Sequence, residues 1–201
     1  ANSCLFNLPV TITQPATALS GSIVSQTNVL CFGGSTGSVT VAGSGGTPVY
    51  EYSIDAGGYQ ALGTFNGLST GVHTVTIRDA NLCLFNIIVN ITQPPSALSV
   101  TAVKTDVLCN GAATGTATAT ASGGTLPYSY SWNTLPVQTN ATATGLIAGT
   151  YNVTVTDGNG CTANTSVTIS QPATAPSGST TVTNVLCFGE LTGAVDLTVS
   201  G

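Results

Sequence analysis

Charge is what this chain has least of. Asp, Glu, Lys and Arg make up 4% of its 201 residues, against roughly a quarter in an average globular domain. Seven acids stand against two bases, Arg78 and Lys104, for a formal charge of -5. That balance has the wrong sign for nucleic acid and is too dilute for an acidic patch. Histidine occurs once, as His73, and no converging set of acid, base and nucleophile is visible, which points away from an enzyme. No apolar run approaches the roughly 20 residues of a membrane span, the longest clear one being Ile87-Ile88-Val89. Membrane insertion is therefore not expected. No signal peptide opens the sequence, so an export signal is expected elsewhere in a longer protein.

What fills the place of charge is Thr, Ser, Gly, Val and Ala, a β-forming, extracellular composition. Gly145 to Cys161, GLIAGTYNVTVTDGNGC, shows the pattern most clearly. Tyr151, Val153 and Val155 alternate with Asn152, Thr154 and Thr156, the period of two of a half-buried strand. Ahead of it, Leu146, Gly149 and Tyr151 have the form of a tyrosine corner, in which a Tyr near a strand start ties its hydroxyl back to the preceding turn. Behind it, Asp157-Gly-Asn-Gly reads as a hairpin turn. The stretch has a counterpart 78 residues earlier, from Gly67 to Cys83, with Leu68, Gly71, Val75, Ile77 and Asp79 matching Leu146, Gly149, Val153, Val155 and Asp157. The chain is a repeat array.

Residues 1–17 read as the last strand of a preceding repeat, because Cys4-Leu-Phe6 stands over Cys83-Leu-Phe85. Module one spans 18–95 and module two 96–173. Residues 174–201 repeat the first two strands of a following unit. Gln14-Pro15, Gln93-Pro94-Pro95 and Gln171-Pro172 are the joints, short and stiff because proline fixes φ and extends the residue before it. About seven short strands per module, with turn punctuation and no helical period, predict an all-β fold of tandem immunoglobulin-like sandwiches, each about 78 residues, set in an extended rod. Thr-rich edge strands without lysine guards allow a lateral homo-oligomer.

Six cysteines at fixed spacing, with no CxxC and one histidine, indicate disulfides in an oxidising compartment. Small modules gain much from such cross-links. Three pairings are open. Within modules, Cys31 meets Cys83 and Cys109 meets Cys161. Across a linker, Cys4 meets Cys31, Cys83 meets Cys109 and Cys161 meets Cys187, an option that needs a bulge to keep strand register. The third follows from sandwich topology, where the loop after the first strand and the turn before the last strand lie at opposite ends, too far apart for the roughly 7 Å a disulfide allows. In a head-to-tail stack those ends abut, which favours Cys31 with Cys161, between modules.

The remaining polar residues read as structural. His73 occupies the place of Tyr151 and is expected to make the corner hydrogen bond. Asp79 and Asp157 recur at one turn, which suits aspartate as a turn former better than calcium, whose six to eight oxygen ligands are not in sight. Asp55 and Asp106 stand isolated. Neither a cofactor nor a metal is expected. Asn90-Ile-Thr92, Asn140-Ala-Thr142, Asn152-Val-Thr154 and Asn164-Thr-Ser166 match the N-glycosylation pattern, which arises readily by chance in a Thr-rich chain. Tyr128, Tyr130 and Trp132 share one strand face, more often core than a sugar-stacking platform; module one has Ile54 in place of Trp132.

Three motifs together carry a family resemblance: Val107-Leu-Cys109-Asn-Gly111; Gly123-Gly-Thr-x-Pro127-Tyr-x-Tyr-x-Trp132; and Leu146-x-Ala-Gly149-Thr-Tyr151-x-Val-x-Val-Thr-Asp157-x-Asn-Gly-Cys161, ending in Ile169-Ser-Gln-Pro172. They resemble the SprB repeat of very large surface proteins in gliding bacteria of the Bacteroidota. The resemblance implies a segment of a secreted cell-surface adhesin filament, exported by the type IX secretion system and supporting gliding motility and attachment. Module one departs from the pattern at Ile54, His73 and Asn81-Leu82. The expected partners are neighbouring repeats of the same chain and a surface polysaccharide. A different class of reading makes each module a carbohydrate-binding unit that gains avidity by repetition.

Overall fold

A computed structural model describes residues 7–201, which contain strands and no helix. The chain divides after Pro95 into two compact units. In the first, β1 (Ser20–Thr27), β2 (Gly37–Ser44) and β4 (Thr64–Leu68) form one antiparallel sheet in the order β1-β2-β4. The other sheet is β3-β5-β6, from β3 (Glu51–Ile54), β5 (Gly71–Arg78) and β6 (Leu84–Ile91). The second unit repeats both. Its sheets are β10-β8-β7, from β7 (Ser99–Thr105), β8 (Gly115–Ser122) and β10 (Thr142–Leu146), and β12-β11-β9, from β9 (Ser129–Trp132), β11 (Gly149–Thr156) and β12 (Thr162–Ile169).

Two three-stranded sheets per module give an immunoglobulin-like sandwich with six strands where the sequence predicts about seven. The alternation read from the sequence sets what lies between them. On β11, Val153 and Val155 are fully buried while Asn152 and Thr154 face outward. Val75 and Ile77 on β5 are likewise sealed from solvent. At roughly 25 cal/mol per Å² of apolar surface buried, such residues carry most of the favourable folding free energy of a small module. Trp132 joins that core at 1% exposure, with Tyr128 and Tyr130 packed half-buried against it. Its indole N–H donates to the carbonyl of Asn140 at 3.0 Å.

The two flanking segments differ. Residues 174–201 form the expected two strands, β13 (Ser177–Thr183) and β14 (Ala194–Ser200), paired along their whole length and exposed throughout. The last strand expected within 1–17 is not formed in the part that is described: residues 7–15 make no ladder. The physical reason is pairing. β6, with which that segment aligns, is bonded to β5 at every position from Gly71↔Ile91 to Arg78↔Leu84, and a strand without such a neighbour has nothing to hold it extended. Cys4 lies outside the described residues.

Candidate functional site

The features that recur at equal spacing lie at the two ends of each module. At the leading end, a paired glycine follows the second strand, and the aspartate expected as a turn former reaches it. Asp157 Oδ2 accepts the N–H of Thr125 at 2.9 Å, and Oδ1 accepts those of Asn159 and Cys161 at 2.9 and 2.8 Å. Asp79 does the same with Thr47, Asn81 and Cys83, all at 2.9 Å. Each carboxylate is nearly inaccessible, 5% exposed for Asp157 and 3% for Asp79. Its oxygens accept main-chain N–H groups on both sides, which makes this geometry a turn clasp.

The charge is held in place by those donors. Burial pushes the Asp157 carboxyl up, but the N–H groups of Thr125, Cys161, Asn159 and Gly160 outweigh it and leave the group below the usual carboxylate range. For Asp79 the Thr47 N–H is the largest influence; burial opposes it, and Cys83 and Asn81 add to the lowering. Glycine is required opposite the clasp. A Cβ on Gly46, at φ +58, would lie 2.5 Å from Asp79 Oδ2, and Gly124 faces Asp157 in the same way. The tyrosine that follows closes the turn: Tyr50 and Tyr128 donate to the carbonyls of Gly45 and Gly123 at 2.7 and 2.6 Å.

At the trailing end, the loop after the first strand is tied to the Gln-Pro joint. The amide oxygen of Gln93 accepts the N–H of Gly33 at 2.8 Å, and that of Gln171 accepts the N–H of Gly111 at 2.9 Å. Asn110 Nδ2 donates to the carbonyl of Pro172 at 2.8 Å. Two backbone bonds, Val29 to Thr92 at 2.9 Å and Val107 to Ser170 at 3.0 Å, complete the tie. Read as linker residues, Gln93 and Gln171 are instead part of the module's own bonding.

The same tie holds Asp106, which the sequence shows as isolated. Its Oδ1 accepts the N–H of Ser170 at 2.7 Å and the Lys104 ammonium at 2.8 Å. Lys104 and then the Ser170 N–H hold its carboxyl below the usual range. In module one the equivalent pair is neutral: Asn28 Oδ1 accepts from Thr92 N–H at 3.0 Å and from Gln26 Nε2 at 3.3 Å.

The cysteines sit at these ends, Cys31 and Cys109 in the trailing loops, Cys83 and Cys161 beside the aspartate clasps. Cys31 and Cys161 are each disulfide-bonded. Cys83, Cys109 and Cys187 carry free thiols, so the bonds Cys31 to Cys83 and Cys109 to Cys161 are not formed, nor is Cys83 to Cys109.

At the corner, the Tyr151 hydroxyl donates to the Ile147 carbonyl at 3.1 Å, with Leu146 buried beneath it. His73 reaches the equivalent carbonyl in module one, with Nε2 at 3.0 Å from Ser69 O. Its Nδ1 lies 2.7 Å from Asp55 Oδ2, so Asp55 is not isolated either. The hydrogen bond to Asp55 raises the His73 pKa, helped by the Ser69 carbonyl. Conversely, the His73 hydrogen bond and then the Thr74 N–H lower that of Asp55. Sequence reasoning missed this pair, although Asp55 stands 78 residues before Asn133 and His73 78 before Tyr151. Two departures that meet across one corner were the available signal.

Comparison with known proteins gives the frame for these ends. No curated protein matches the chain. A C-terminal 282-residue fragment of intimin, solved with the intimin-binding domain of the translocated intimin receptor, is similar at 13% identity and TM-score 0.40 over 80% of this chain; the match spans 66% of that one. Dpr11 IG1, solved bound to DIP-gamma IG+IG2, is similar at 10% identity and TM-score 0.30, over 76% of this chain and 98% of the other. The SprB repeat family model matches residues 23–58, 101–137 and 179–201. The matches start 78 residues apart and run from the first strand of each repeat. They include the cysteine loop and the Gly-Gly-Thr turn in modules one and two, while the corner strand and the Ile-Ser-Gln-Pro motif lie outside them. A signature that returns three times at the period of the fold identifies three matches to the SprB repeat in this chain.

Proposed function

We propose that the chain is a shaft segment of a large secreted cell-surface adhesin, in which non-enzymatic modules joined head to tail hold an adhesive surface away from the cell and serve gliding and attachment. The observation that carries this reading is the recurrence of both end clasps at the period of the family match. A unit whose ends are bonded to its own backbone, with two or three residues between units, suits a stiff and extended array better than a flexible tether. His73, engaged at both ring nitrogens by structural partners, supports a role outside catalysis. Export by the type IX route and location at the cell surface belong to the same proposal, as does a bond between Cys31 and Cys161 that makes the joint a covalent strut.

A second reading has one observation in its favour. On the outer face of module two, Asn152 and Thr154 of β11 stand opposite Ser166 and Asn164 of β12, all exposed, polar and uncharged. This surface matches the chemistry of a neutral polysaccharide. Module one repeats it only in part: Thr74, Thr76 and Asn86 keep three of the four positions, Ile88 replaces Ser166, Val72 and Leu84 stand exposed on the same face at 68 and 60%, and Arg78 pairs there with Glu51 and covers the ring of Tyr59.

Binding of the intact 201-residue chain to a glycan array and to agar and chitin surfaces, beside a reduced and alkylated control, separates the two. The shaft reading expects no saturable binding by the folded chain. Saturable binding lost on reduction would make the repeats themselves adhesive. Peptide mapping of the same sample without reduction should yield one linked pair containing Cys31 and Cys161, and a Cys31 to Cys83 pair would remove the strut.

A further inference from the structure

Both ring nitrogens of His73 face groups that only accept. Asp55 Oδ2 lies 2.7 Å from Nδ1, and the Ser69 carbonyl lies 3.0 Å from Nε2. A neutral imidazole has one N–H and one lone pair, so it satisfies one of these partners and sets its lone pair against the other; the imidazolium satisfies both. We propose that His73 and Asp55 form a proton-dependent latch on module one, closed while the ring carries both protons and missing one strut when it does not.

What the latch holds is a turn and a loop. Asp55 and Ala56 have φ of 49° and 58°, the left-handed region that is unfavourable for residues with a Cβ. The turn is closed by Gly57 N–H to the Ile54 carbonyl at 2.8 Å. Asp55 Oδ1 fastens it to β5 through the N–H of Thr74 at 2.9 Å. The imidazole then bridges this turn to Ser69, in the connection between β4 and β5. Deprotonation removes one of the two imidazole bonds, while Asp55 stays fastened to Thr74.

The surroundings leave the ring to one charged partner. From the turn after β3 comes Asp55. Across the ladder, β6 presents Val89. The connection before β5 presents a carbonyl. Glu51 and Arg78 pair with each other at the far end of the β3 and β5 ladder. Among the described residues, Asp55 is the charged group that acts on the ring.

The direction in pH follows from linkage. A histidine whose folded pKa is raised contributes stability that is complete below the unfolded value of 6.5 and is lost as pH rises through the raised value. Asp55, with its pKa lowered from 3.8, contributes above 3.8 and loses its share as pH falls through the lowered value. Its stabilisation is therefore complete between 3.8 and 6.5, and the latch opens as pH rises through the raised value of His73. Module two has Asn133 and Tyr151 in these places. Asn133 Oδ1 accepts the N–H of Asn152 at 2.8 Å and the Tyr151 hydroxyl donates to the Ile147 carbonyl; neither bond involves an imidazole, so the device belongs to module one.

Because His73 is the only histidine, its imidazole resonances in an NMR titration of the intact chain need no assignment by mutation. The expected result is a midpoint above 6.5, with the Thr74 amide shifting at the same midpoint. A midpoint at or below 6.5, or a Thr74 amide indifferent to the titration, overturns the latch. The double variant Asp55→Asn with His73→Tyr installs the residues that module two already tolerates. In the wild type the melting of module one should move down between pH 6 and 9, and in the double variant that movement should vanish. A variant that keeps the wild-type slope overturns the proposal as well.

Discussion

Modules one and two fill the same sandwich by different means. Module two places one very large side chain, Trp132, among alanines: Ala117, Ala119 and Ala143 are its buried neighbours in the core. At the equivalent positions module one has Ile54, Val39, Val41 and Phe65. The volume given up at one site is returned in parts at three others, as close packing of protein interiors requires. What looks like the loss of a family residue at Ile54 is thus one half of an exchange.

The polar ends show a similar exchange. At the corner, module one is ionic, with His73 and Asp55, and module two is neutral, with Tyr151 and Asn133. At the trailing tie the assignment reverses: module two is ionic, with Lys104 and Asp106, and module one is neutral, with Gln26 and Asn28. In each case the bond to the main chain is kept and only its charge differs. A charged pair and a neutral pair are alternative ways to present one acceptor to one N–H.

Exchanging residues between modules puts this comparison at risk. The largest effect is expected for Trp132→Ile, which leaves a void among three alanines and an unpaired Asn140 carbonyl. Module two should lose roughly 2–4 kcal/mol in urea unfolding followed by circular dichroism, toward the lower part of the range for truncating a large buried residue. Adding Ala117→Val, Ala119→Val and Ala143→Phe should recover a substantial part. No recovery would mean that the two cores are not equivalent solutions.

A smaller gain is expected at the leading end of module one. Leu82 sits at φ 66° where module two has Gly160 at φ 82°, and its side chain is 67% exposed. Leu82→Gly should raise stability by about 1 kcal/mol, since the strain relieved exceeds the chain entropy that glycine adds. A loss on thermal melting would show that Leu82 makes a contact of its own. The smallest effect is expected for Lys104→Gln with Asp106→Asn, which gives module two the neutral tie. Its melting temperature should stay the same at physiological salt, and the dependence on salt should weaken, because exposed ion pairs are screened. A large fall would make the charge itself essential.

Much of this was legible in the sequence because a period of two is a direct imprint of burial. Val153, Val155, Val75 and Ile77 are buried as their alternation predicts, and the 78-residue spacing of Asp79 and Asp157 marked a shared turn. Partners across a sheet were not legible. Asp55 and Asp106 read as isolated because His73 is 18 residues from one, and the Ser170 N–H 64 residues from the other. Only the fold brings them together. The compensation at Phe65 escaped for the same reason, since Ala143 and Trp132 are neighbours in the core and not in the chain. The last strand expected in residues 1–17 is not formed over 7–15, because a ladder needs a second strand, and composition does not say whether one is present.

The aspartate and glutamine clasps have one further property. Asp79, Asp157, Gln93 and Gln171 hold peptide N–H groups, and every residue except proline supplies that group identically. A bond of this kind does not depend on which side chains the other segment carries. Copies of a duplicated unit can therefore diverge along their strands, as these two have done, and still finish in interchangeable ends, so that a gene may gain, lose or shuffle copies without having to rediscover how one begins where the last stops.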